Sequence, residues 1–243
     1  MEDKRKLKVM AIGAHPDDVE FSMGGTLISL SNAGHEVFVL DMTNGEPTPH
    51  GSIETRLKES KESANIMNVK RKTLDFPNRF LFDNVEMRKS VADEIRVFRP
   101  DILFVHYPED AHPDHWAASQ AGMASRFYGK LSRIDLKGDR HFAPRIFYFF
   151  AVHLRISPVP DFCLDISNNF DQKSKALLAY ESQFHELHKK FKYENQDITK
   201  EEVLKNFLKT QNSYWGSKIG VKYAEPFYSP EIFGLNNLES IVL

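Results

Sequence analysis

Two short stretches carry the residues that can do chemistry. The first, AIGAHPDDVEF at 11–21, gathers one imidazole (His15) and three carboxylates (Asp17, Asp18, Glu20) where an apolar run ends. The second, YPEDAHPDHWAAS at 107–119, has His-Pro-Asp-His where the first has His-Pro-Asp-Asp. Crowded carboxylates repel one another and resist burial; a dication turns that repulsion into attraction. Catalytic zinc sites take three protein ligands from His, Asp, Glu or Cys and keep a fourth position for water. His15 and Asp18 lie three residues apart around a tight turn, and His112 and His115 repeat that spacing. Either histidine of the second pair completes a triad. The ion lowers the pKa of its water to about 7 and polarises a carbonyl. A carboxylate outside the ligand set must then accept the water's proton, and Asp17, beside a ligand, is placed to do so. The remaining histidine suits stabilising an oxyanion or protonating a leaving amine. This inventory is complete for metal-assisted hydrolysis of an amide. The rival reading, polar turns with N-cap residues, accounts for one stretch alone better than for both.

Something must bring the two stretches together. Apolar runs at 7–14, 35–43 and 101–107, with a short strand RKTLDFP at 71–77, alternate with helical patterns at about 24–33, 53–67, 84–98 and 114–126. Gly24-Gly25 opens the first helix and Gly34 lies past its end. Alternation of this kind predicts an α/β fold, Rossmann-like, with a mostly parallel sheet covered by helices on both faces. In the usual doubly wound order 3-2-1-4-5, the first and fourth strands are neighbours where the order reverses, and sites form there outside the carboxyl ends. Both motifs directly follow those two strands. Beyond residue 144, PRIFYFFAV and DFCLDI read as strands, 169–190 and 200–210 as helices, and the last 30 residues as aromatic loop. No repeat or Gly/Pro/Ser-rich linker divides the 243 residues, so one domain over 1–243 is expected.

Composition narrows the function. A net charge of −2 argues against nucleic acid or an anionic membrane as partner, and no run approaches the roughly 20 apolar residues of a membrane span. MEDKRKLKVMAIGA reads as a first strand rather than a signal peptide. The one cysteine, Cys163, forms no intrachain disulfide and is expected to be a buried thiol, which points to a reducing cytoplasm. A dinucleotide-dependent oxidoreductase would show G-x-G-x-x-G after the first strand, where GAHPDD stands instead. Neither GxxxxGK[ST] nor GxSxG occurs. A non-catalytic sugar- or metal-binding module would have no need of Asp17.

With AHPDD, GGT and HPDH in hand, the chain resembles the zinc-dependent N-acetylglucosaminyl deacetylases, the LmbE-like or PIG-L family, and within it the bacillithiol-biosynthesis deacetylases. AIGAHPDDVEFSMGGTL, DMTNGEPTPHGSIETRLKES, EDAHPDH, PDFCLDIS, AYESQF and GVKYAEPF carry the resemblance, in order along nearly the whole chain. It implies a Rossmann-like fold and one ion, Zn2+ or alternatively Fe2+, Co2+ or Mn2+, held by His15, Asp18 and His115. Asp17 would be the general base. His112 would polarise the tetrahedral intermediate or act as general acid, and Asp114 would orient His112. Arg56 would hold substrate hydroxyls or a carboxylate. The implied substrate is an N-acetylated sugar, such as N-acetylglucosaminyl-malate, a chitobiose-like sugar or a secondary-metabolite glycoside, and the implied assembly is a homo-oligomer, trimeric or hexameric. Many bacillithiol-type relatives read EDRHPDH where this chain has Ala111, so the aglycone is left open.

Other residues are weighed beside these. Glu46, in NGE after the second strand, is expected to line the pocket, and His153, after FYFFAV, to touch substrate. His106 is expected to pack behind the ligands. His185 and His188 in FHELHKKF stand at i, i+3, not the i, i+4 of HExxH, and read as a solvated helix face. Phenylalanine, with 19 copies, is concentrated in the later half, where it is expected to serve the core and a subunit interface.

Overall fold

A computed structural model describes residues 5–151, 158–184 and 199–235. Its centre is a seven-stranded sheet in the order β3-β2-β1-β4-β5-β7-β6. The strands are β1 (Lys8–Gly13), β2 (Glu36–Thr43), β3 (Lys70–Phe76), β4 (Ile102–His106), β5 (Arg145–Phe149), β6 (Phe162–Asp165) and β7 (Ala224–Tyr228). The first five run parallel, and β7 is antiparallel to both β5 and β6. The helices are α1 (Asp18–Asn32), α2 (Ile53–Met67), α3 (Val85–Phe98), α4 (Pro113–Lys130), α5 (Phe170–Leu178) and α6 (Lys200–Ile219). On one face, Met10, Ile12 and Leu40 of the sheet meet Met87, Val91 and Ile95 of α3 and Ala117, Ala118 and Ala121 of α4. On the other, Val9, Ala11 and Val39 meet Val19, Met23 and Leu27 of α1 and Met67 of α2. Strands apolar on both faces are what a sheet covered twice requires.

The helix boundaries follow from local chemistry. Ser52 caps α2 by accepting from the Thr55 amide, and Asn68 ends it in the left-handed region (φ 55°). Asn84 caps α3 through the Met87 amide. Thr199 and Glu202 form a reciprocal capping box on α6, which Gly220 closes at φ 77°. No helix of the described residues is long and apolar enough to cross a membrane.

Three expectations change. The first helix begins at Asp18 rather than Gly24, but it is broken at Met23 (φ −144°, ψ 19°), so the glycine pair does open its second half. The freed amides of Gly25 and Thr26 donate to the Glu225 carboxylate at 3.0 and 2.7 Å, and Lys173 Nζ neutralises that carboxylate at 2.5 Å with both side chains fully buried. Gly25 is obligatory here, because a Cβ would lie 2.7 Å from Ile166. Second, α4 and α6 run longer than their sequence patterns, to Lys130 and Ile219. Third, the closing segment is not all loop: β7 lies between β5 and β6. Its Pro226 is tolerated because β5 has already ended at Phe149, opposite Phe227.

Candidate metal centre

β1 and β4 are adjacent and the strand order reverses between them. The chain leaves β1 into Ala14-His15 and leaves β4 toward His112-Pro113, where His112 is the N-cap of α4 and Pro113 its first residue. Residues almost a hundred positions apart therefore meet. The His15 Nδ1 lies 3.4 Å from Asp18 Oδ2, and His115 Nε2 lies 3.2 Å from Asp18 Oδ1. The two imidazoles thus reach different oxygens of one carboxylate, and imidazole with carboxylate is a donor set that fits a metal. All three residues are buried, and their ligand atoms lie within 4.8 Å of one another.

Each imidazole is oriented by a carboxylate on its other nitrogen. The Asp114 Oδ2 lies 3.0 Å from His15 Nε2, and Asp110 Oδ2 lies 2.9 Å from His115 Nδ1. Carboxylate partners of this kind fix the tautomer and aim the second nitrogen at an ion. Asp114 is itself held by the amides of Arg79 and Leu81, which donate to it at 2.6 and 3.2 Å. The structure thus departs from the expected role of Asp114: its carboxylate serves His15. Its link to His112 runs through the backbone, the Asp114 amide donating to His112 Nδ1 at 3.2 Å. His112 stands with its ring 4.9 Å from that of His15 and 4.8 Å from that of His115. His15, His112 and Asp114 form a second group of metal-ligating types, but these hydrogen bonds already occupy the Asp114 carboxylate and the His112 Nδ1.

The electrostatics match a cation site. Burial pulls His15 down, yet Asp18 and Asp114 outweigh it and raise the imidazole to about 9. Burial likewise opposes His115, and Asp18 and Asp110 raise it to about 10. Against burial, His115 and His15 hold Asp18 well below the usual carboxylate range. In the metal-free protein two imidazolium charges thus stand where a dication fits. His106 behaves differently. Burial and the neighbouring His115 push it down to about 4, and its Nε2 accepts the Ala14 amide at 3.0 Å, so it packs behind the ligands as expected.

Asp17 is the non-ligand carboxylate of the motif. It is the N-cap of α1 with φ 110°, a backbone region rarely adopted by residues other than glycine. Its side chain keeps 22% exposure, and burial pushes its carboxyl up to about 7 against the opposing Arg56 charge. Arg56, expected on substrate, is only 2% exposed and is engaged by the chain itself: Nη2 donates to the Pro16 carbonyl and lies 3.0 Å from Asp17 Oδ2. Glu46 folds back on its own loop, accepting from the Thr48 amide at 2.5 Å and hydroxyl at 2.7 Å, rather than lining an open pocket. Glu20 turns away from the metal residues to Arg71. His153, His185 and His188 lie outside the described residues. A cavity of about 830 Å³ opens beside Phe21 and Ser22 of α1, walled by Phe150, Phe162 and Trp215, and holds none of the metal-ligating set.

Residues 10–125 match the family described as PIG-L, GlcNAc-PI de-N-acetylase. The chain is 31% identical to the diacetylchitobiose deacetylase of Thermococcus kodakarensis over 93% of its own length and 84% of that protein. It is 30% identical to the probable N-acetyl-alpha-D-glucosaminyl L-malate deacetylase 2 of Bacillus cereus over 72% of this chain and 83% of that one. The crystal structure of the conserved protein TT1542 from Thermus thermophilus superposes with a TM-score of 0.82 at 33% identity, covering 94% of this chain and 97% of the other. The fold and the paired motifs define an LmbE-like α/β protein with a buried cluster of metal-ligating residue types. This chain belongs to the PIG-L family.

Proposed function

We propose that this protein is a zinc-dependent N-deacetylase that hydrolyses the acetamide of an N-acetylglucosaminyl compound. One observation carries the reading: the ligand atoms of His15, Asp18 and His115 are gathered within 4.8 Å of one another, with the carboxylate of Asp17, outside that set, next to them in the chain. A divalent ion bound there acidifies water and polarises the amide carbonyl. Asp17 takes the proton as the water oxygen attacks the carbonyl carbon, then returns it to nitrogen as the C–N bond breaks, releasing acetate and the free amine. His112, at the N-terminus of α4 beside the ligand rings, stabilises the tetrahedral intermediate or protonates the departing amine. Asp114 and Asp110 hold the two ligand histidines in register.

The substrate class rests on the relatives. One is named for diacetylchitobiose and another for N-acetylglucosaminyl L-malate, and an N-acetylglucosamine unit is common to both. The imidazole and carboxylate donors also accept Fe2+, Co2+ or Mn2+. The same reading takes residues 1–243 as one deacetylase domain, acting in the cytoplasm as a homo-oligomer, a trimer or hexamer. The test is a panel of N-acetylglucosamine derivatives that differ only in aglycone, with released acetate measured beside metal content. Turnover by a metal-free preparation would end the mechanism. Asp17→Asn keeps its metal and loses about 10²–10⁴-fold in kcat; an unchanged kcat assigns the base elsewhere.

A further inference from the structure

The AYESQF turn that follows α5 lies about 160 residues from the AHPDD motif, yet it packs against it. Tyr180 is fully buried. Its hydroxyl donates to Glu20 Oε1 at 2.7 Å, in the first turn of α1. Its ring centroid lies 5.4 Å from the Arg56 guanidinium carbon, within cation–π range. The next residues extend the contact. The Ser182 amide and hydroxyl donate to Glu59 of α2 at 2.8 and 2.7 Å, and Gln183 Nε2 donates to Thr48 Oγ1 at 3.3 Å. The turn therefore ties α1, α2 and the loop after β2 together around Arg56.

Arg56 is confined further by Gly45, which has φ 79°. A Cβ there would stand 3.2 Å from Arg56 Nε and 3.3 Å from its Cζ, so a side chain at this position would press on the guanidinium. The confined guanidinium grips the Pro16 carbonyl and the Asp17 carboxylate. These flank the one peptide unit of the motif whose residue sits at φ 110°. A non-glycine residue in so sparse a region is strained and persists only where its surroundings over-determine it. The Nε and Nη1 of Arg56 are buried with no hydrogen-bond partner, so the hydrogen bonds it does make to the chain are concentrated on this one turn.

We propose that Tyr180 and Arg56 act as a positioning pair for Asp17: the ring supports the guanidinium, and the guanidinium holds the carboxylate and its strained backbone in the place where it accepts the proton. The pair acts through Asp17, and the proposal rests on the deacetylase reading for its consequence in turnover. A carboxylate misplaced by about 1 Å can cost on the order of 10²-fold in rate.

The test uses the intact metal-loaded protein and the derivative it deacetylates best. Tyr180→Leu loses about 10²-fold in kcat with KM and metal stoichiometry unchanged, whereas Tyr180→Phe, which keeps the ring, stays near wild type. In an Asp17→Asn background, Tyr180→Leu adds no further loss in kcat. Wild-type kcat in Tyr180→Leu, or losses that multiply in the double variant, overturn the proposal. If Tyr180→Leu does not fold, Arg56→Met takes its place with the same expectation, and a rise in KM alone would make Arg56 a substrate contact and overturn it. A crystal structure of the variant gives a readout independent of activity: Asp17 leaves the φ 110° region. Retention of that backbone and carboxylate position refutes the proposal even if no sugar in the panel is a substrate, in which case the deacetylase reading fails separately.

Discussion

Two carboxylate clusters grow from the first turn of α1, and they differ in the cation that balances them. Asp18 and Glu20, two residues apart at about 100° each, point to opposite sides of the helix. On one side Asp18 faces His15 and His115. On the other, Glu20 meets Arg71, which also grips Asp41 by two parallel bonds at 2.6 Å. Ser63 and Tyr180 donate to the same Glu20 oxygen, both at 2.7 Å, while Glu20 Oε2 is buried without a hydrogen-bond partner among the described residues. Arginine is always charged and supplies directed donors, so the Glu20 side is settled permanently by the chain. Histidine gives up its proton and presents a lone pair, so the Asp18 side can exchange its protons for a metal. The same acidic stretch thus builds one closed structural cluster and one exchangeable site, and the choice between imidazole and guanidinium decides which is which.

That contrast is easiest to break at its metal side. His115→Ala removes a ligand and is expected to abolish both bound metal and acetate release, measured by metal analysis and turnover. Wild-type metal content in that variant would refute the ligand assignment. On the closed side, Arg71→Met leaves Glu20 and Asp41 buried without their counter-charge. The expected loss is about 3–5 kcal/mol of stability in chemical denaturation, and an unchanged unfolding midpoint would show that the cluster carries no such cost. Asp110→Asn is milder: it weakens the grip on His115, lowering metal affinity by roughly 10–100-fold, to be read in a competition titration with a chelator.

The last effect is in pH. His15 and His115 are raised to about 9 and 10 in the metal-free protein. Groups raised on folding contribute stability that is fully present below their unfolded value of about 6.5. It fades as pH rises through the folded values. The thermal midpoint of the metal-free protein should therefore fall between about pH 7 and 10, while metal binding in the same range releases protons and tightens with pH. A midpoint that rises with pH in the metal-free protein contradicts the assignment.

Much of this was legible before the fold was known, for physical reasons that differ by residue. His15, Asp18 and His115 stand out because metal ligands need particular side chains at short spacings after strands, and β1 and β4 are strongly apolar. Asp110 is quoted in EDAHPDH but has no signal of its own, because a carboxylate on the far nitrogen of a ligand is set by three-dimensional packing. Arg56 and Glu46 are charged residues in a promising stretch, and their pairing within the chain could not be read from the sequence. Tyr180 is invisible to pattern because its partners lie in α1 and α2. The strand β7 was hidden by Pro226, which disguises a paired segment as loop.

The break in α1 at Met23 has a consequence for how the protein is made. The turn carrying Asp18 leads into a half-helix whose opening amides are capped by Glu225 from 200 residues downstream. Contacts that distant form late, because closing so long a loop is entropically expensive. That half-helix therefore waits for β7 to dock before its opening amides are satisfied.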